Sequence, residues 1–142
     1  DYYASRGLGD VYKRQILCTR IAREKFSVSP EREKAFDMVR QFYVLVDNHF
    51  KEKKMVQDYA DMLHRSPKTL SNLFTTCGLP SPLRIIHERI EAEAKRLLLY
   101  SQKSAKEITE ILGFEDQATF SRFFKKMTGE SVSEYRKREK QE

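Results

Sequence analysis

Apolar residues recur along most of this chain at three- and four-residue steps. Val39, Phe42, Tyr43, Val46 and Phe50 follow Phe36 on one helical face, the signature of an amphipathic helix. The spacing predicts a first helix over about 30–53 that buries these six residues. The same period predicts helices over about 56–63, 67–77, 82–100, 105–112, 117–127 and 132–140. No stretch alternates as a strand would. The expected fold class is all-α, with about seven helices. Residues 16–26 read as the end of a further helix.

Punctuation agrees with the period. Ser29-Pro30, Ser66-Pro67 and Ser81-Pro82 each put a good N-cap before a proline, whose missing N–H costs nothing in the first helical turn. Ser104 with Glu107 and Ser131 with Glu134 have capping-box spacing. Gly78, Gly113 and Gly129 each follow an apolar-periodic run, where a left-handed residue ends a helix cheaply. The first fifteen residues carry two of the five glycines and no period. The string from Ser5 to Gln15 resembles translated sequencing adapter, so 1–15 is expected to be a non-native or disordered tail. Residues 16–29 are expected to be a linker remnant, and 30–142 the folded domain.

Within that domain a two-helix unit repeats. Leu70, Leu73, Phe74 and Cys77 are matched fifty positions later by Phe120, Phe123, Phe124 and Met127. Thr69 matches Thr119, and Ser71 matches Ser121. Ahead of the turn, Tyr59, Ala60 and Leu63 match Ile108, Thr109 and Leu112 at an offset of forty-nine, so the second turn is one residue longer. A short helix, a tight turn and a second helix with one apolar stripe make a helix-turn-helix. The expected motifs span about 56–77 and 105–127, joined by a connecting helix over 82–100 with a stripe of Leu83, Ile86, Ile90, Ala94 and Leu97. That helix is about 28 Å long. Successive major grooves on one face of B-DNA lie about 34–36 Å apart, so the spacer suits two reading helices near one DNA turn apart.

Charge sharpens this picture. The 142 residues carry 27 Lys and Arg against 21 Asp and Glu, a net charge of +6, which favours an anionic partner such as nucleic acid. Apolar runs are far shorter than the ~20 residues that cross a bilayer, so no membrane is expected. Cys18 and Cys77 form no CxxC pair, and with no secretory signal in the sequence a reducing cytoplasm is the expected location. Enzyme readings lack parts: there is no HExxH, GxGxxG or GxSxG. His49, His64 and His87 are scattered, with no partner at metal-ligand spacing. Cys77 lies on an apolar stripe and reads as a small core residue.

From Ile108 to Gly129 the chain runs Ile-Thr-Glu-Ile-Leu-Gly-Phe-Glu-Asp-Gln-Ala-Thr-Phe-Ser-Arg-Phe-Phe-Lys-Lys-Met-Thr-Gly. This stretch resembles the signature around the second helix-turn-helix of AraC/XylS-type bacterial transcription regulators. Ser133-Glu134-Tyr135-Arg136 is similar to that family's closing motif, and Glu93-Ala94-Lys95-Arg96-Leu97-Leu98 to its connecting helix. The resemblance covers about 56–136. Thr109 departs from a usual Ala and Val132 from a common Pro. Asn72, Thr75 and Thr76 stand where basic residues are frequent. The resemblance implies sequence-specific binding of duplex DNA, RNA polymerase as a further partner, no cofactor, and a separate N-terminal sensor or dimerisation domain. Without that domain the chain is expected to be monomeric, with dimerisation left to the full-length protein.

Base edges are read chiefly from the N-terminal part of such helices. The candidates are Lys68, Thr69, Ser71, Asn72 and Thr75 on the first recognition helix. On the second they are Gln117, Ala118, Thr119, Ser121 and Arg122. Arg suits guanine, Gln and Asn suit adenine, and methyl groups suit thymine. Candidate phosphate contacts are Arg65, Lys103 and Lys125, with the helix starts at Ser66, Ser81 and Ser104, where amides and the helix dipole favour an anion. Two alternatives remain: a helical protein-interaction module that has lost DNA binding, and RNA binding, for which no aromatic platform is evident.

Overall fold

A computed structural model of the chain describes residues 29–141. The expected tail (1–15) and all of the linker remnant except Ser29 lie outside the described residues. Among those described, the structure has seven helices and no strand. They are α1 (Pro30–His49), α2 (Val56–Met62), α3 (Pro67–Thr76), α4 (Pro82–Tyr100), α5 (Ala105–Ile111), α6 (Gln117–Thr128) and α7 (Val132–Lys140).

Four of the five predicted serine caps form, while Ser29 makes no side-chain cap bond at the start of α1. The Ser66, Ser104 and Ser131 hydroxyls accept from the amides of Thr69, Glu107 and Glu134, and Ser81 accepts from Arg84 at 3.3 Å. Both capping boxes close. Each such cap contributes about 1 kcal/mol. Gly78, Gly113 and Gly129 all have positive φ. One end departs from expectation: α1 stops at His49, short of Lys53. The buried Tyr59 donates its hydroxyl to the Lys53 carbonyl at 2.6 Å. The chain therefore turns toward α2 instead of extending α1.

The described residues fall into two compact units, one ending at Ile86 and one starting at His87. The first is centred on aromatic rings. Phe42 of α1 lies 5.5 Å from Tyr59 and 4.9 Å from Phe74, ring centre to ring centre, and Tyr43 stacks on Phe74. Phe42, Tyr59, Leu70 and Phe74 are fully buried, each stabilising the unit by roughly 1.5–3 kcal/mol. Val39, Val46 and Phe50 are buried with them, while Phe36, expected in the core, is half-buried.

In the second unit Phe120 and Phe124 take the places of Leu70 and Phe74, and both are fully buried. Their rings continue a chain from Phe114 to Tyr135, with neighbours 5.3–6.1 Å apart. Thr109, the departure from the familiar Ala, is buried too. Its hydroxyl donates back to the Ala105 carbonyl at 2.7 Å, so the extra polar group is satisfied.

The connecting helix α4 supplies buried residues to each unit: Ile85 and Ile86 to the first, and Ile90, Ala94, Leu97 and Leu98 to the second. Leu83 belongs to the predicted stripe but is 44% exposed. At about 100° per residue the buried face drifts along the helix. It begins in line with Pro82 and Ile86 and ends in line with Leu97 and Leu98. Leu83 shares an azimuth with Ile90 but sits where that side faces water. The same helix buries Glu93, 6% exposed, which accepts from Arg96 through both carboxylate oxygens, with Arg89 at 3.7 Å. Arg136 of α7 then fastens the end of α4, donating to the carbonyls of Leu98 (3.2 Å) and Lys103 (2.6 Å).

Two predictions follow from these contacts. Arg136→Ala is expected to lower the unfolding free energy by about 1–2 kcal/mol, less than two fully buried charge-assisted bonds because the outer bond is exposed. An unchanged urea midpoint would remove Arg136 from the scaffold. The second concerns His87, whose ring meets Phe123 edge-on at 5.3 Å. Burial, aided by the charge of Lys126, lowers its pKa below the ordinary 6.5. The unfolded chain therefore takes up this proton at a higher pH than the folded one. Stability present above about pH 6.5 is lost as the pH falls through the lower folded value. His87→Gln is expected to flatten the decline in urea midpoint between about pH 7 and 5.5. An equally steep decline in the variant would assign that pH dependence to other groups.

Candidate nucleic-acid interface

Both turns close by the same hydrogen bonds. In the first, the His64 amide donates to Asp61 and the Arg65 amide to Ala60. In the second, Gly113 donates to Glu110 and Phe114 to Thr109. These are the two bonds of a Schellman ending, which needs a left-handed residue. Gly113 supplies one at φ 74°, and His64 adopts one at φ 55°. The second turn then spends one more residue before its cap. Ser66 and Asp116 are equivalent N-caps, accepting from the Thr69 and Thr119 amides at 3.1 and 2.7 Å.

From these caps each recognition helix presents two faces. On the inner face of α3, Leu70 and Phe74 are buried while Leu73 and Cys77 are half-buried. Phe120, Phe124, Phe123 and Met127 of α6 repeat that order. On the outer face of α3, Lys68, Thr69, Ser71, Asn72 and Thr75 are all exposed. On α6, Gln117, Ala118, Arg122 and Lys125 are exposed, and Thr119 and Ser121 are half-buried. Within each motif the structure therefore brings the predicted base-reading residues onto one open face. The hydroxyls of Thr75 and Thr76 donate back to the carbonyls of Ser71 and Asn72, which leaves Asn72 and Lys68 as the strongest donors on α3.

The phosphate candidates divide. Arg65, Lys103 and Lys125 are exposed, as are Ser66 and Ser81 at their helix starts. Ser104 is exposed but engaged, because its amide donates to Glu107 at 2.8 Å and its hydroxyl accepts from the Glu107 amide. The Glu107 carboxylate places negative charge where a phosphate would sit, so the helix start at Ser104 is closed to an anion. Among the described residues no cluster of His, Cys, Asp and Glu could hold a metal ion. No described helix is long and apolar enough to cross a membrane.

The family described as a helix-turn-helix domain matches residues 59–138, more than half of the chain. The chain belongs to the AraC/XylS-type family. This AraC/XylS-type domain is 32% identical, over 86% of its length, to the arabinose operon regulatory protein of Salmonella typhimurium, covering 43% of that protein. It is 30% identical, over 85% of its length, to an uncharacterized HTH-type transcriptional regulator, YisR, of Bacillus subtilis, covering 41% of it. The chain thus spans about two fifths of these curated relatives. In structure it is similar to the C-terminal domain of AraT, a response regulator from Geobacillus stearothermophilus. The TM-score is 0.64 at 29% identity, covering 70% of this chain and 84% of that one. These relatives are described as regulators of transcription or of an operon, and the described residues hold two helix-turn-helix units.

One residue of the AraC/XylS-type site lay outside the sequence expectations. Asp116 caps α6 and touches the reading face as well. The Thr119 amide and then its hydroxyl, with the nearby charge of Arg122, hold its carboxyl below the usual carboxylate range. The sequence signal was an Asp fifty positions after the capping Ser66, followed at the same interval by Thr.

The left-handed residue in the first turn gives a prediction. A non-glycine residue there costs about 1–2 kcal/mol, partly offset by the freedom glycine has in the unfolded chain. His64→Gly is expected to stabilise the domain by about 0.5–1 kcal/mol, seen as a raised Tm. A lowered Tm would mean that the His64 side chain contributes more than its backbone strain costs.

Proposed function

We propose that this domain reads duplex DNA with two heads, α3 and α6, each lying in a major groove, in adjacent grooves along one face of the duplex. The observation that carries the reading is the open polar face of each helix. It lies opposite a buried stripe, and the same caps and turns hold it in both copies. Residues 30–142 act as the DNA-binding domain. Lys68, Thr69, Ser71 and Asn72 face bases in one groove, and Gln117, Ala118, Thr119, Ser121 and Arg122 face them in the other. The Arg122 guanidinium matches guanine O6 and N7, the Gln117 and Asn72 amides match adenine, and the methyls of Ala118 and Thr119 meet thymine. Arg65, Lys103, Lys125 and the helix starts at Ser66 and Ser81 hold phosphates.

The relatives' descriptions as transcriptional regulators support a role in bacterial transcription, which we propose takes place in the cytoplasm with RNA polymerase as a further partner. The chain works by binding, without catalysing a reaction and without a cofactor. The domain binds DNA as a monomer. Sequence selection from random duplexes, followed by footprinting, tests the arrangement: two protected major-groove segments about one helical turn apart are expected.

Arg122→Ala is expected to cost about 1–3 kcal/mol of specific binding and to relax preference at one base pair. For the unaltered domain, log affinity falls steeply with log salt as cations release condensed counterions. An unchanged preference in a salt-controlled titration of Arg122→Ala would refute the base-contact assignment.

A further inference from the structure

The reading face of α6 carries a chain of three side chains one turn apart. The Asp116 carboxylate accepts from the Thr119 amide at 2.7 Å. The Thr119 hydroxyl oxygen in turn accepts from Arg122 Nη2 at 3.4 Å. At an offset of fifty, the corresponding residues of the first motif are Ser66, Thr69 and Asn72. There Ser66 Oγ and Thr69 Oγ1 lie 2.8 Å apart. The two copies share the cap and the threonine but differ in charge at both ends. A neutral cap accompanies an amide, and an acidic cap accompanies a guanidinium.

The geometry points to Asp116 as a positioning residue for DNA specificity, which through Thr119 holds the Arg122 guanidinium in the orientation that meets a base edge. This rests on the reading of Arg122 as a base contact. An arginine on a flexible stem beside DNA has many phosphate oxygens to choose from, and they carry no sequence information. An anion at the head of the same helix gives the guanidinium a fixed counter-charge. Phosphates repel that anion, so Arg122 is biased away from the backbone and toward the groove floor. In water an exposed link of this kind is weak. Docking removes water from the interface and lowers the local dielectric, so the link strengthens where it is needed. An amide at position 72 has no net charge for phosphate to capture, and a neutral serine suffices to cap its helix.

The test uses Asp116→Ser, which copies the first motif's cap, and Asp116→Asn as a second capping variant. Both keep an oxygen acceptor for the Thr119 amide, and their helix content and Tm are checked against the parent. Each is titrated at fixed salt against the selected duplex, against that duplex altered at the base pair that Arg122→Ala relaxes, and against unrelated duplex. The expected result is loss of discrimination at that pair by about tenfold, with unrelated duplex bound as well as before or more tightly. In an Arg122→Ala background the Asp116 substitution is expected to change discrimination no further. Full discrimination by both folded Asp116 variants, while Arg122→Ala loses it, overturns the positioning role and leaves the function reading intact. If Arg122→Ala itself changes no preference, the base-contact assignment falls and the positioning role falls with it.

Discussion

Each recognition helix is held by one apolar stripe, and everything else about the domain depends on that economy. Two fully buried side chains, Leu70 and Phe74 in α3 or Phe120 and Phe124 in α6, anchor the helix from one side. Burial of that size is worth several kcal/mol per helix, enough that no side chain on the opposite face is needed for packing. The caps and the left-handed turns then fix where each helix starts and how it leaves its partner. Their individual contributions are near 1 kcal/mol, but they decide geometry that the non-directional hydrophobic term leaves open.

The two copies show which parts of this arrangement are interchangeable. The turn accepts either glycine or a strained histidine in its left-handed place. The residue after it is Arg65 in one copy. In the other it is Phe114, whose ring packs 5.3 Å from both Phe120 and Phe123. The longer second turn thus carries an added aromatic into its core. The first unit instead obtains its aromatic filling from α1, through Phe42 and Tyr43. Similar hairpins are completed by different neighbours, which is why each needs the elements beside it.

Most of this fold was legible in the sequence because its signals are local. Serines, prolines and glycines at helix ends act within a few residues of themselves, and α4 begins and ends where they predict. What the sequence did not give away depended on distant groups. The end of α1 is set by the hydroxyl of Tyr59, which no period along α1 reveals. The exposure of Leu83 follows from a drift of the buried face along α4, visible only once both of its ends are packed. The closure of the Ser104 helix start by Glu107 was written in the capping box, yet its meaning for an anion emerges only when the carboxylate is placed. The capping role of Asp116 could have been read from its offset to Ser66. Its approach to Arg122 through Thr119 depends on rotamers.

The separation of the two helix faces has an evolutionary corollary. Residues such as Lys68, Asn72, Gln117 and Arg122 contribute almost nothing to the packed interior, and substitutions at such surface positions usually shift stability by no more than about 0.5 kcal/mol. Duplicated copies can therefore drift apart on their exposed faces while their buried halves stay in register. New surface chemistry becomes accessible by single steps, each of which leaves a folded protein behind it.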